Sequence, residues 1–248
     1  MKLTFLGTSH GAPGKDRYCS AIMLEVGSDI YLIDAGAPVT DCLIRSGKDF
    51  SNLKGVFITH PHGDHVDGLF SLLNIMNSRY RNTGFDLLIP SDKMISAIKD
   101  YLAVVCGAYP LVDGGIRFSR PTDGTVFDNG QVKVTYFENA HMEKGLSFSL
   151  LVEVDGKKLA FSGDLSGDLK AGDFPVYPLE NKVDFTVLEL AHFYIDKIEP
   201  YLEKLKTDVL CFNHINRQEK FDDVLVADSS GKYSYKIVAP KDGDEFII

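Results

Sequence analysis

Apolar residues occur in two patterns along this chain, as short runs or alternations and as longer stretches with three- and four-residue spacing. The first pattern predicts strands and the second predicts amphipathic helices. Strands are predicted at residues 2–6, 20–26, 29–34, 56–58, 85–89, 132–136, 146–154, 159–161, 185–188 and 209–212, with two more near the C-terminus. Helices are predicted at 38–47, around 66–76, at 90–102, 195–205 and 217–227. The chain therefore consists of two halves, each with strands followed by helices, which favours a duplicated, β-rich layout.

Two stretches lack both patterns. Glycine and proline are frequent in residues 8–18 and 103–120, and this composition predicts irregular loops. We expect the first loop to pass near a functional site and the second to form a loop or lid at its mouth. Neither stretch carries a motif that identifies a substrate.

The densest chemical motif is His60-Pro61-His62-Gly63-Asp64-His65, between a predicted strand and a predicted helix. Imidazole and carboxylate are the ligands that Zn²⁺ prefers at catalytic centres, and Mn or Fe accept the same set. Pro61 keeps His60 extended, and Gly63 is expected to allow a tight turn. The loop could direct His60 and His62 towards one metal ion and Asp64 and His65 towards another. The alternatives are that Asp64 caps the helix and that one histidine is an ordinary buried side chain.

Other predicted strands also end at residues with metal-ligand chemistry. They lead into Asn139-Ala140-His141, Ser162-Gly163-Asp164 and Asn213-His214, and a further strand leads into Glu189-Leu190-Ala191-His192. The strand before the histidine-rich motif and those before His141, Asp164 and His214 make four that end at such residues, and we therefore predict that these residues share one site.

Three further residues have weaker signals. Asp34, at a strand end, either orients a ligand histidine or accepts hydrogen bonds from turn amides. His10 is expected to face solvent in its loop. Cys211 precedes His214 by three residues, but its apolar neighbours favour a buried strand position.

Composition limits the class of protein. The 248 residues are 44% hydrophobic and 25% charged, which is typical of a soluble globular protein. The net charge of −9 argues against a broad nucleic-acid surface, although two bound dications would reverse the field locally. We therefore expect a small ester molecule as the partner, most simply a phosphorylated one, and no membrane association. The short apolar N-terminus does not predict a signal peptide, and four widely spaced cysteines favour free thiols in the cytoplasm.

The ordered set His60-x-His62-x-Asp64-His65, His141, Ser162-Gly163-Asp164 and His214 resembles the metallo-β-lactamase-fold hydrolases over nearly the whole chain. The resemblance implies an α/β (α+β) fold, a four-layer αββα sandwich of two mixed β-sheets flanked by helices, as a single domain over residues 1–248. It also implies two divalent metal ions, expected to be Zn²⁺ with Mn²⁺ or Fe as alternatives. By the same resemblance one metal ion is held by His60, His62 and His141 and the other by Asp64, His65 and His214, with Asp164 bridging them.

Details within the motifs indicate a branch. Asp164 stands where β-lactamases of this superfamily usually have a cysteine, and His62 stands where the flavodiiron oxygen reductases have a glutamate. The N-terminal Phe5-Leu6-Gly7-Thr8, Pro13 and Arg17 resemble the start of the ribonuclease Z and cyclic-phosphodiesterase branch. A long Gly/Pro-rich arm that grips transfer RNA and a downstream His-Ser-Thr segment are not found in the sequence, which disfavours transfer-RNA maturation.

The expected function is that of a dinuclear metal-dependent hydrolase acting on a phosphodiester, in a small cyclic or nucleotide-type substrate, through a metal-bridging hydroxide. Asp64 is expected to be a ligand and to orient or deprotonate the nucleophile. His192 is the candidate for donating to the phosphate or protonating the leaving oxygen, with a structural histidine at the head of a helix as the alternative. A thioester or lactone hydrolase of the glyoxalase II kind and a metal-binding sensor without turnover are the alternative functions.

Overall fold

The computed structural model describes residues 1–107, 115–169, 173–229 and 231–248. In chain order the strands are β1 (Lys2–Gly7), β2 (Ala21–Val26), β3 (Asp29–Ile33), β4 (Leu53–Phe57), β5 (Phe85–Leu88), β6 (Ile116–Ser119), β7 (Val126–Asp128), β8 (Val132–Glu138), β9 (Phe148–Val154), β10 (Lys157–Phe161), β11 (Val183–Glu189), β12 (Thr207–Asn213), β13 (Lys236–Val238) and β14 (Glu245–Ile247). The helices are α1 (Val39–Arg45), α2 (Gly63–Arg79), α3 (Asp92–Val105), α4 (Tyr177–Glu180), α5 (Ile195–Leu202) and α6 (Gln218–Ala227).

The chain divides into two compact units. Unit 1 contains Met1–Pro121 and Lys241–Ile247, and unit 2 contains Thr122–Pro240 and Ile248. Each unit contains one seven-stranded sheet, and each sheet mixes parallel and antiparallel pairs.

The sheet of unit 1 has the strand order β14-β1-β2-β3-β4-β5-β6. The pairs from β3 to β6 are parallel, so the carboxyl ends of β3 and β4 lie at the same edge of the sheet. Apolar side chains on these strands pack against α2, which buries Leu69, Leu72 and Leu73. The burial of this apolar stripe explains why the helix forms where the three- and four-residue spacing predicts it.

The sheet of unit 2 has the strand order β13-β12-β11-β10-β9-β8-β7. A β-hairpin joins β9 to β10 through Asp155 and Gly156, both of which have positive φ angles. The pairs from β10 to β13 are parallel, which brings the segments after β10, β11 and β12 to one edge. These segments carry Asp164, His192 and His214.

The predicted strands and helices are confirmed within a few residues, with one exception. The loop or lid predicted at 103–120 is partly wrong, because α3 continues to Val105 and Ile116–Ser119 forms β6. Residues 108–114 of that stretch lie outside the described residues. The short helix α4 was not predicted. The expectation of a single domain over residues 1–248 stays a prediction.

Among the described residues, Cys19, Cys42, Cys106 and Cys211 form no disulfide bond, and Cys211 is buried in β12 as predicted. Within the described ranges, every helix falls short of the length and apolarity needed to cross a membrane. A cytoplasmic location stays a prediction.

Candidate metal centre

The histidine-rich motif of unit 1 lies where β4 leads into α2. His62 is the N-cap residue of α2 and has an extended backbone, with φ −67° and ψ 148°. Gly63 is the first residue of the helix and not a turn, so the tight turn expected there is wrong. Asp64 does not cap the helix either, because it lies within the first turn and the N-cap is His62. Its Oδ2 instead accepts a hydrogen bond from the backbone N–H of Gly11, at 2.7 Å. The loop at residues 8–18 therefore passes beside the motif, as predicted.

A close approach of two backbone segments holds this part of the helix. The N–H of Ala35 donates to the carbonyl of His65 at 2.8 Å. A Cβ atom on Gly36 would lie 2.2 Å from the backbone oxygen of Asp64, which no side chain could tolerate. Glycine at position 36 therefore permits the loop after β3 to pack against the first turn of α2.

The donor atoms of the motif lie close together within unit 1. Nε2 of His60 is 3.1 Å from Nδ1 of His62, and Nε2 of His65 is 3.5 Å from Oδ2 of Asp64. Ligands at about 2.0–2.1 Å from a tetrahedral cation are separated from one another by roughly 3.3 Å. Both pairs are therefore near the separation that a shared cation requires.

Asp34 makes both kinds of contact that the sequence left open, whereas the role of His65 as a metal ligand stays a prediction. Its carboxylate accepts hydrogen bonds from the backbone N–H of Thr59, at 2.8 Å, and from Nδ1 of His65, at 2.7 Å. Because a carboxylate only accepts, Nδ1 of His65 carries the proton and Nε2 carries the lone pair that can bind a metal. Asp34 itself has a φ of 58°, so this strand end is bent into the left-handed region.

We expect Asp34→Asn to weaken metal binding by roughly 10- to 100-fold, because the amide lacks the charge that supports the His65 tautomer. Titration of the metal-free protein in competition with a chromophoric chelator measures this affinity. The matched control is Asp29→Asn, the same change at the other end of β3, where the carboxylate lies 3.8 Å from Nζ of Lys54. Equal affinities for Asp34→Asn and the wild type would mean that Asp34 does not orient His65.

In unit 2 the segments that carry His141 and Asp164 are hydrogen-bonded to each other. The side-chain amide of Asn139 donates to the carbonyl oxygens of Ser162, at 3.2 Å, and of Asp164, at 3.1 Å. Nδ1 of His141 donates to the carbonyl of Leu165 at 3.1 Å, so its Nε2 carries the lone pair. These contacts fix the ring of His141 with Nε2 directed at Asp164.

The buried carboxylate of Asp164 lies between two imidazoles. Its Oδ2 is 3.2 Å from Nε2 of His214 and 3.8 Å from Nε2 of His141. Only 3% of the residue is exposed to solvent. A buried carboxylate that faces histidine nitrogens is a candidate metal ligand, and the bridging role of Asp164 stays a prediction.

His192 forms a second pair, with Glu189. Nδ1 of His192 donates to Oε1 of Glu189 at 2.7 Å, and this hydrogen bond raises the pKa of His192. Glu189 also accepts from the backbone N–H groups of Leu165, at 2.9 Å, and of Ala191, at 2.7 Å. The ring of His192 lies 4.8 Å from the ring of His141, and its side chain is 34% exposed. His192 is thus beside the candidate ligands of unit 2 and open to solvent.

Several residues that build this centre were not predicted. Asn139 was noted only as part of a strand end, and Glu189 only as part of its motif. Asp173 accepts hydrogen bonds from the backbone N–H groups of Ala140 and Ser166, both at 2.7 Å. The signal for Asn139 was its position two residues before His141, whereas the sequence gives no signal for Asp173.

The donor chemistry fits divalent metal ions. All seven predicted ligands belong to groups of histidine and aspartate side chains that could hold a metal ion. Imidazole and carboxylate donors suit Zn²⁺, Mn²⁺ and Fe. The identity of the metal and the assignment of each residue to one ion stay predictions.

Comparison with known proteins gives a family and a set of relatives. A family model described as "Anti-Pycsar protein Apyc1" matches residues 1–222. The chain is 32% identical to a ribonuclease Z of Natronomonas pharaonis over 154 residues, which are 61% of this chain and 48% of that protein. It is also 32% identical to a ribonuclease Z of Synechococcus sp. (strain WH7803) over 183 residues, which are 71% of this chain and 55% of that protein. The chain therefore spans about half the length of these relatives.

Solved structures share the fold. The metallo-β-lactamase fold protein YhfI from Bacillus subtilis has a TM-score of 0.76 at 15% identity, with 99% of this chain and 98% of that chain covered. The short form of human tRNase Z also has a TM-score of 0.76, at 20% identity, with 100% and 99% covered. The two mixed sheets with their helices and these neighbours confirm the predicted metallo-β-lactamase fold. The relatives named ribonuclease Z confirm the predicted ribonuclease Z branch.

One expectation from the sequence is wrong. Relatives named ribonuclease Z and tRNase Z act on RNA, which contradicts a small-molecule partner and the lack of a broad nucleic-acid surface. The error came from the net charge of −9, which is a sum over all residues. Binding of a polyanion depends on where the cationic groups lie, including any bound metal ions, and not on that sum.

Proposed function

The chain belongs to the family described as Anti-Pycsar protein Apyc1, and on this basis we propose that it is a dinuclear metal-dependent hydrolase of phosphodiester bonds. The observation that carries the proposal is the carboxylate of Asp164, which lies 3.2 Å and 3.8 Å from the Nε2 atoms of His214 and His141. The ribonuclease Z relatives support a phosphodiester as the bond that is cleaved.

The proposed ligand assignment follows the resemblance. His60, His62 and His141 would hold one cation, Asp64, His65 and His214 would hold the other, and Asp164 would contact both. When bound, the two cations would supply Lewis acidity, which acidifies water and offsets negative charge on the phosphate. Zn²⁺ is the proposed metal, with Mn²⁺ and Fe as the alternatives.

The side chains have separate tasks in this proposal. Asp64 would orient the attacking water through its carboxylate while it serves as a ligand. Glu189 holds the Nδ1 proton of His192, so the proton that is transferred would be carried on Nε2. His192 would donate this proton to the leaving oxygen. The hydrogen bond to Glu189 stabilises the protonated imidazole that a general acid needs.

The proposal concerns the scissile bond, and RNA is the first substrate to test. Purified protein is stripped with a chelator, reloaded with Zn²⁺, Mn²⁺ or Fe²⁺, and analysed for metal content. Each form is then assayed on an RNA with a 3′ extension, a cyclic nucleotide, bis(p-nitrophenyl) phosphate and a glutathione thioester. We expect about two metal ions per chain and hydrolysis of phosphodiester substrates only in the metal-loaded forms.

The same assay distinguishes the alternatives. Cleavage of the thioester alone would replace the proposal with a hydrolase of the glyoxalase II kind. Two bound metal ions without turnover of any substrate would instead indicate a metal-binding sensor.

We expect His192→Ala to lower kcat by roughly 100- to 10,000-fold, because general acid catalysis contributes about that much. The metal content should stay at the wild-type value, since His192 is not among the proposed ligands. Lys197→Ala, an exposed change on the following helix, is the control. Steady-state kinetics and elemental analysis of both variants test this role, and loss of metal from His192→Ala would make the residue a ligand.

A further inference from the structure

A lysine lies buried behind the segment that carries His192. Lys220 is on α6, only 3% of the residue is exposed, and its ammonium group donates a hydrogen bond to the carbonyl oxygen of Ala191. Lysine is almost never fully buried without a compensating partner, because removing the ammonium group from water is costly. Burial accordingly lowers the pKa of Lys220.

The groups around Lys220 that compensate for the burial of its ammonium group come from one short segment, residues 189–194. Its Nζ lies 4.6 Å from the centroid of the Tyr194 ring, and the nearby negative charge of Glu189 favours the protonated form. The carbonyl of Ala191 also accepts a hydrogen bond from Nδ2 of Asn216, at 2.9 Å. A backbone carbonyl can accept two hydrogen bonds, and Asn216 and Lys220 together satisfy the carbonyl of Ala191.

The peptide group next to His192 is therefore held from two sides. Glu189 accepts from the N–H groups of Ala191, at 2.7 Å, and of His192, at 3.1 Å. Lys220 holds the carbonyl of Ala191, and Glu189, the residue that orients the imidazole, accepts hydrogen bonds from the same short segment. We propose that Lys220 is a positioning residue, which fixes the Ala191 peptide and the Glu189 carboxylate so that the ring of His192 keeps one orientation.

This inference rests on the proposed function, in which His192 is the proton donor. If it holds, replacing Lys220 misplaces the imidazole without removing a ligand. A misplacement of about 1 Å at a reacting group can cost up to about 100-fold in rate.

The test compares Lys220→Met, Lys220→Arg and Lys220→Gln, together with the double variant His192→Ala/Lys220→Met. Methionine keeps the length and the apolar stem but removes the charge, whereas arginine keeps the charge. Glutamine also removes the charge and replaces the methionine variant in every comparison if that variant does not fold. We expect Lys220→Met to lower kcat by roughly 10- to 100-fold with KM and metal content unchanged, and Lys220→Arg to recover most of the activity. In the His192→Ala background the further loss should be less than about twofold, because coupled residues are not additive.

A second measurement does not depend on catalysis. In the wild-type protein, the Nδ1 proton of His192, which is donated to Glu189, should give a low-field proton resonance in slow exchange with water. We expect Lys220→Met to broaden or remove this resonance and Lys220→Arg to retain it. This readout decides the role of Lys220 even if the proposed hydrolysis is not observed for the wild-type protein.

Two results would overturn the proposal. One is an unchanged kcat and an unchanged His192 resonance in Lys220→Met. The other is an equal loss of kcat in the wild-type and His192→Ala backgrounds, which would show that Lys220 acts on the fold and not through His192.

Discussion

Asp164→Ala is expected to reduce kcat for phosphodiester hydrolysis by roughly a thousandfold or more and to lower the metal content of the purified protein. The carboxylate is buried and lies within 3.8 Å of the Nε2 atoms of two histidines. Its removal takes away a negative charge and an oxygen ligand, and the imidazoles that remain can donate lone pairs but cannot neutralise a dication. Elemental analysis and steady-state kinetics on the same preparation measure both effects.

The control for this variant is Asp168→Ala, four residues along the same segment and exposed to solvent. It should keep both metal and activity. Asp164→Asn separates charge from shape, since the amide has nearly the same size, and we expect it to behave like the alanine variant. Near wild-type turnover with full metal in Asp164→Ala would contradict the ligand assignment.

The sequence predicts the strand ends better than the contacts between them. His60, His141, Asp164 and His214 each follow a predicted strand, and strands that run in the same direction place such positions at one edge of their sheet. The periodicity therefore gives the elements and the candidate residues. The resemblance, and not the periodicity, supplied the assignment of the ligands to two cations.

Contacts between residues distant in sequence could not be predicted. Asp64 had a local signal for an N-cap, yet its carboxylate accepts from Gly11, which is 53 residues away in the chain. Asp34 likewise holds His65, which is 31 residues away. A local rule such as helix capping competes with tertiary hydrogen bonds that a single sequence does not reveal.

The stretch at residues 103–120 shows a different limit. Its apolar stripe ends at Leu102, so the helix was expected to end there, but α3 continues to Val105 with Val104 exposed. The strand β6 alternates Ile116 and Phe118 with Arg117 and Ser119, but it is only four residues long and directly follows two glycines. Short edge strands and final helical turns carry few apolar positions, and periodicity therefore detects them poorly.

We expect Asp64→Ala to abolish hydrolysis and lower metal content as Asp164→Ala does, and to loosen the loop at residues 8–18 as well. The reason is that Oδ2 of Asp64 is a candidate metal-ligand atom, 3.5 Å from Nε2 of His65, and also accepts the hydrogen bond from the N–H of Gly11. Asp64→Asn separates these two roles, because the amide oxygen can still accept from Gly11 although the charge is lost. Hydrogen exchange at the Gly11 amide should therefore accelerate by roughly tenfold or more in Asp64→Ala and much less in Asp64→Asn.

Asp67→Asn is the matched control for the asparagine variant, since Asp67 is exposed on the next turn of α2. It should leave hydrolysis, metal content and exchange at Gly11 unchanged. The decisive comparison is between hydrolytic activity and hydrogen exchange at the Gly11 amide in Asp64→Asn. If Asp64→Asn keeps the loop protected but loses turnover and metal, the carboxylate charge is what the centre requires. If Asp64→Asn keeps near wild-type turnover with full metal, Asp64 is only an anchor for the loop and the assignment of this residue as a ligand is wrong.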